Sequence, residues 1–224
     1  MILPRKIISL FSRILVILLA VSATSCLTFE ESYVFKKNGS GSMKYLIDMS
    51  EIAALLKMNA EADSTGADNS LSFTETATEL SSIAGISKVQ VLDNEDKGLY
   101  GVSFSFSNIQ ALNQALNEML VDNEASGFHT FFTMEGNTIT RNHLMPTDAL
   151  PAELEDPETA DQVSSLMESM KYKLNFTFDK SVKVVYSAAE TAIGGKKDRN
   201  VTVETNFKTL LNDVSTLNSS IVLK

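Results

Sequence analysis

The sequence predicts an α+β fold: antiparallel sheet built from repeated β-hairpin–helix units, with the helices packed on one face. Two patterns carry that expectation. Short stretches alternate apolar with polar residues on either side of turn signals, as half-buried strands do. The segments between them space apolar residues three and four apart, as helices with one buried stripe do. Such strands and helices bury each other in two layers.

Taken in order, Leu27, Phe29, Tyr33 and Phe35 alternate along a first strand, interrupted by Glu31. Asn38-Gly39 marks a hairpin turn that needs positive φ. Met43, Tyr45, Ile47 and Met49 alternate along the return strand. Ser50 is placed to cap a helix carrying Ile52, Leu55 and Leu56 on one face. After the polar run "NAEADSTGADNS", a second helix presents Phe73, Ala77, Leu80 and Ile83, closed by Gly85. Val89 and Val91 lead into "DNEDKG", and Tyr100, Val102, Phe104 and Phe106 face one way. Asn108 begins a helix with Ile109, Leu112, Leu116 and Met119 on one stripe.

A third hairpin turns at Glu135-Gly136-Asn137. The stretch 145–161, with three of the four prolines and many acids, is expected to be a loop. Val163, Leu166, Met167 and Met170 then mark a helix. Leu174, Phe176 and Phe178 alternate, Val182 and Val184 continue that theme, and "GGKKDRN" turns into Val201 and Val203. A helix with Phe207, Leu210, Leu211, Val214 and Leu217 precedes a last short strand, Ile221 to Leu223. These elements divide into a segment 1–25, a ββα-based subdomain over 26–120 and a second subdomain over 121–224.

Residues 1–25 have a basic start (Arg5, Lys6, Arg13), eight apolar residues from Ile14 to Val21, and small residues up to the sole cysteine, Cys26. That is the layout of a secretory signal, too short in its apolar run to span a bilayer. Ala23-Thr24-Ser25-Cys26 resembles the lipobox of bacterial lipoproteins, with Ala where Leu is usual. The resemblance implies a diacylglycerol thioether on Cys26, cleavage before it, and acylation of the new amino terminus. Three acyl chains, at about 0.8 kcal/mol per buried CH₂, hold far more firmly than one myristoyl group. Leu27 follows the cysteine where an Asp retains many lipoproteins at the inner membrane, so the expectation is the outer membrane. Glu30 and Glu31 form a short acidic tract of the kind that sends some lipoproteins to the cell surface.

Residues 1–25 hold three basic and no acidic side chains, which leaves 16 basic against 28 acidic and a net charge of −12. That balance argues against nucleic acid as a partner, and against a basic patch on anionic lipid. A single cysteine excludes an intramolecular disulfide.

The candidate sites are few. His129 and His143 flank the third hairpin; a three-residue loop would set them opposite each other, a two-residue loop on opposite faces. Two ligands without a thiol are too few for a metal centre, so no metal and no cofactor are expected. The acids Asp148, Glu153, Glu155, Asp156, Glu158 and Asp161 lack the spacing and central Gly of a calcium loop. "IGGKKDRN" lacks P-loop spacing, and no G-x-S-x-G occurs. With no positioned catalytic set, the chain is expected not to be an enzyme. Asp63-Ser64-Thr65 resembles a bacterial O-glycosylation sequon and marks Ser64 and Thr65 as candidate acceptors.

The lipobox, "YVFKKNGSGSMKYLIDMS" and "YKLNFTFDKSVKVV" together resemble uncharacterised bacterial envelope lipoproteins and, more loosely, the LppM-like lipoproteins with an outer α/β domain. The resemblance implies an envelope protein bound to the membrane through its lipid. Its partners would be other envelope proteins, as an accessory or scaffold subunit, or a lipid or other hydrophobic ligand.

Overall fold

The computed structural model describes residues 27–51, 72–120, 127–143 and 164–224. Cys26, Ser64, Thr65, the helix expected from Ile52 and the loop 145–161 lie outside the described residues.

The fold departs from the expected α+β arrangement: it is a β-rich body of two sheets. The strands are β1 (Thr28–Phe35), β2 (Gly41–Asp48), β3 (Ile86–Val91), β4 (Leu99–Phe106), β5 (Phe132–Glu135) and β6 (Thr138–Arg141). They continue with β7 (Lys171–Phe178), β8 (Val182–Ser187), β9 (Glu190–Gly194), β10 (Asn200–Asn206) and β11 (Ser219–Leu223). Helices α1 (Thr74–Ser82), α2 (Ile109–Leu120) and α3 (Phe207–Asn212) join them, with a helical segment at 164–169.

The larger sheet has seven strands in the order β3-β4-β2-β1-β7-β10-β9, and the smaller has four, β5-β6-β11-β8. Helices do not follow each hairpin in a repeated unit. Strands β7 to β10 run in succession without a helix, and α3 is only six residues long. The second layer over the large sheet is therefore built largely from the small sheet, where the sequence pattern predicts helices. Its strands supply buried side chains from both directions, such as Ile139, Ile221 and Leu223.

Strand β1 sits near the middle of the large sheet. It pairs antiparallel with β2 and parallel with β7, Thr28 opposite Lys171 and Phe35 opposite Phe178. The sheet thus joins strands from residues 26–120 to strands from 121–224. One face carries the alternating apolar residues anticipated above: Tyr33 and Phe35, Met43, Phe104 and Phe106, and Phe176 and Phe178 are at most 3% exposed. Rings from β1 and β7 stack across the parallel pair, Tyr33 on Phe176 at 5.5 Å and Phe35 on Phe178 at 5.9 Å. Phe132 of the small sheet meets Tyr33 edge-on at 4.8 Å and closes the sandwich. Pairs of this kind add about 0.5–1.5 kcal/mol each beyond their area.

Helix α2 buries Leu112 and Leu116 of its predicted stripe, with Ala115 beside them and Ile109 and Met119 partly buried, and it also protects an edge. Strand β5 is the outer strand of the small sheet. Asn113 accepts from the Phe132 amide at 2.8 Å and donates to the Phe132 carbonyl at 2.9 Å. One turn later Asn117 makes the same two bonds, at 2.7 Å each, to the His129 amide and carbonyl. Two side-chain amides thus do what a neighbouring strand would do for an otherwise unpaired edge.

Strand β8 belongs to the small sheet and β9 to the large one, so the chain changes layer at Ala188-Ala189. The pattern Val182, Val184 was expected to continue β7. Instead β7 stops at Phe178, and β8 leaves to pair with β11.

Candidate functional site

The residues that interrupt the apolar faces meet in the core. Glu31 stands in β1 where the alternation asks for an apolar side chain, and it is 0% exposed. Arg141, at the end of β6, is 1% exposed and reaches it from the opposite layer. Its Nη2 donates to Glu31 Oε2 at 2.8 Å and to Oε1 at 3.2 Å. The Tyr33 hydroxyl donates to Oε2 of the same carboxylate, and the Tyr172 hydroxyl from β7 donates to Oε1. Arg141 also donates from Nη1 to the Asn142 carbonyl at 2.5 Å, and its guanidinium lies 5.2 Å from the ring centres of both Phe131 and Phe132.

Each partner serves to keep a charge out of water. An isolated buried carboxylate would be protonated or would disrupt the fold, whereas a paired and hydrogen-bonded one is tolerated. Burial pushes the Glu31 carboxyl up, but Arg141 and the two hydroxyls outweigh it and hold it below the usual carboxylate range. Burial and the Glu31 charge push Tyr33 and Tyr172 well above the ordinary phenol value, so both remain donors. The same two causes raise Tyr45.

His143 completes the group. Its ring packs edge-on against Tyr172 at 5.2 Å, and its Nδ1 lies 3.5 Å from Arg141 Nη2. Burial first, then the neighbouring guanidinium, pull it down to about 3. It is therefore neutral near pH 7, with Nδ1 turned as an acceptor toward the arginine. Two polar atoms in this layer, Arg141 Nε and Ser219 Oγ, are buried without a partner among the described residues. Ser219 stands opposite Arg141 in the β6–β11 ladder.

The structure does not set the two histidines opposite each other. Glu135 pairs with Thr138, so the loop is the two residues Gly136-Asn137, the register that sets His129 and His143 on opposite faces. His129 instead packs its ring against Phe131 at 4.6 Å, with Nε2 buried and without a partner among the described residues. Among the described residues no group of three metal-ligating side chains converges.

Glu31 was visible in the sequence only as a break in a pattern. Arg141 carried a clear signal of the same kind, since Ile139, Arg141 and His143 alternate on the face that should be apolar. What the sequence does not provide is the pairing, because 110 residues separate the two charges.

Chemically the cluster is closed. Carboxylate, guanidinium, phenols and imidazole lie together as they do in many catalytic centres, but all are buried, and both oxygens of the carboxylate are taken up by the arginine and the two phenols. The cavity lined by Phe35, Met134, Ile139, Leu223 and the Lys36–Lys37 turn has a volume of about 30 Å³, room for one water molecule. The arrangement acts as a polar rivet between the two layers.

No family model matches the chain, and no curated protein matches it. Among solved structures it is similar to the folded domain of LppM from Mycobacterium tuberculosis, determined by NMR. The TM-score is 0.40 at 13% identity, over 88% of this chain and 90% of that one. Among the described residues no helix is long and apolar enough to cross a membrane.

Proposed function

We propose that the chain is a non-enzymatic envelope lipoprotein. Its β-rich body is held at a membrane, the outer one by preference, through lipid on Cys26, and serves as an accessory or scaffold subunit for other envelope proteins. The observation that carries this reading is where the body begins. Thr28, two residues after Cys26, opens β1, a central strand, and the Leu27 carbonyl already accepts from the Lys171 amide at 3.0 Å. A lipid on Cys26 would hold the sheet close to the bilayer, without a long tether.

Two features favour contact with proteins over turnover or transport. Among the described residues the buried cluster has no open side for a substrate, and the cavity described above is far below the roughly 300 Å³ at which ligand pockets begin. The outer strands at the layer change, which lack a further neighbour among the described residues, by contrast present Tyr186 of β8 (62% exposed) and Ile193 of β9 (47% exposed), residues suited to strand addition by a partner.

Metabolic labelling with an alkyne fatty acid tests the anchor. Wild type should carry label and partition with membranes, while Cys26→Ser should do neither; label retained in Cys26→Ser would overturn it. A photo-crosslinking residue at Tyr186 or Ile193 tests the scaffold: it should trap the same envelope proteins reproducibly. Absence of protein adducts, together with a bound apolar mass in native mass spectrometry, would favour the hydrophobic-ligand alternative.

A further inference from the structure

The fold sorts the chain's charges by end. Strand β1 runs away from residue 28 and finishes at Phe35, followed by the turn that carries Lys36 and Lys37, both exposed. Strand β7 is parallel to β1, so Lys180 in the next turn, and exposed Lys183 at the start of β8, lie at that same end. Strand β10 is antiparallel to β7 and begins there, which brings in the turn 195–199 with Lys196, Lys197 and Arg199. Contacts tie these turns together: Lys180 Nζ donates to Asn137 Oδ1 at 2.8 Å, the Lys37 amide donates to Asp179 at 3.2 Å, and the Lys224 amide donates to the Ser181 carbonyl at 2.9 Å. Among the described residues of these turns the acids are Glu135, Asp179 and Asp198, fewer than the bases.

The end that holds Thr28 has the opposite sign. Asp48 closes β2 and Glu51 follows it, Asp93 and Glu95 precede β4, and Asp213 follows α3, with Lys97, Lys171 (paired with Glu204) and Lys208 (paired with Glu168) among them. An eight-residue strand separates the two ends by roughly 23 Å, more than twice the screening length of about 8–10 Å in physiological salt. Each end therefore presents its own sign to what approaches it. The net charge of −12, which argued against a basic patch on anionic lipid, is a sum that hides this separation.

We propose that the cationic end is a docking surface for an anionic, phosphate-bearing lipid surface, facing away from the bilayer that holds Cys26. The proposal rests on the anchor of the preceding section for its direction, while the charge pattern stands on the fold alone. Several turns at the ends of adjacent strands meet a plane together, which suits many weak contacts with headgroups rather than one bound molecule. The acidic end, next to the anchor, is repelled by its own anionic leaflet, so the body stands with its cationic end outward.

The test uses the full lipidated chain reconstituted into neutral phosphatidylcholine vesicles, mixed with a second, labelled set containing 30% phosphatidylglycerol. Capture of the labelled vesicles is measured by co-sedimentation. Capture should require phosphatidylglycerol, vanish at high salt, and weaken about a hundredfold in Lys36→Glu/Lys37→Glu/Lys196→Glu, whose side chains lie on exposed turns. Lys97→Glu/Lys208→Glu, at the other end, should capture as wild type does. Unchanged capture by the first variant, with melting as in wild type, would overturn the proposal, as would equal capture of neutral vesicles. Clustering of the carrier vesicles alone would assign the cationic end to the acidic end of a second copy instead. If the chain fails to stay in the carrier vesicles, the anchor reading falls. Direct sedimentation of the chain with anionic vesicles then decides the docking surface on its own.

Discussion

Removing Arg141 tests the polar rivet most directly. In Arg141→Met the Glu31 carboxylate loses both guanidinium bonds, at 2.8 and 3.2 Å, and keeps only two phenol donors in a site that is 0% exposed. Breaking one side of a buried ion pair costs about 3–5 kcal/mol. Glu31→Leu should cost a similar amount, since it strands a buried guanidinium and two hydroxyls. The double variant removes both charges but leaves Tyr33 and Tyr172 without an acceptor, at about 1–3 kcal/mol for each orphaned hydroxyl. Adding Tyr33→Phe and Tyr172→Phe should return stability to within about 2 kcal/mol of wild type, because an apolar replacement of the four side chains leaves neither a charge nor a hydroxyl unpaired, and only the Asn142 carbonyl and His143 Nδ1 lose the arginine as donor. Urea denaturation at pH 7 measures each step. The pH profile gives a second readout of opposite sign. In wild type the Glu31 pKa is lowered, so stability present above about pH 4.5 is lost as pH falls. In Arg141→Met burial acts without its counterweight, the folded pKa rises above the unfolded one, and mild acid should stabilise the variant relative to pH 7. Additive single-variant losses, with a coupling below about 1 kcal/mol, would refute the interdependence.

Three further outcomes are expected. His143 is pulled down to about 3 from 6.5, so the folded state favours its neutral form; its contribution is fully present above pH 6.5 and is lost as pH falls toward 3, with a slope of up to about 1.4 kcal/mol per pH unit. His143→Phe should flatten that limb in denaturation curves taken between pH 6 and pH 4. Asn113→Ala should cost about 2–4 kcal/mol, because it strands the buried Phe132 amide and carbonyl; hydrogen exchange should show faster exchange at Phe132 and much less change at Ile139. Gly85 has φ +90°, and a Cβ there would lie 2.5 Å from Ser107 Oγ and 3.0 Å from Ala111 Cβ. Gly85→Ala should therefore lower stability by about 2 kcal/mol or more, with Ser107→Gly restoring only the part due to the clash.

What could be read from the sequence was local. The first hairpin, with Gly39 at φ 80°, the alternation of β4 and the stripe of α2 all follow from spacing within a dozen residues. The pairing of β1 with β7, and the passage of β8 into a second sheet, leave no trace in periodicity. An alternating strand reads the same whichever sheet receives it, which is why helices were expected where a second sheet lies. The candidate site shows the same limit. Glu31 and Arg141 each break an apolar face visibly, but a break reads as an edge or a bend until its partner is found. The cationic end is the extreme case: its lysines fall in unrelated turns, and only the directions of β1, β7 and β10 bring them together.

The position of β1 also imposes an order of events on folding. Its neighbour on one side, β2, lies across a five-residue turn, while the neighbour on the other, β7, begins at Lys171. As the chain emerges from its amino terminus, β1 to β4 can assemble early, but the β7 side of β1 stays open until residues 171–178 arrive. That open flank carries Tyr33 and Phe35 beside unpaired amides, a surface prone to wrong strand pairing. The half-sheet would need shelter during synthesis and transport. Its completion by β7, and not the early hairpins, would set the rate at which the native body forms.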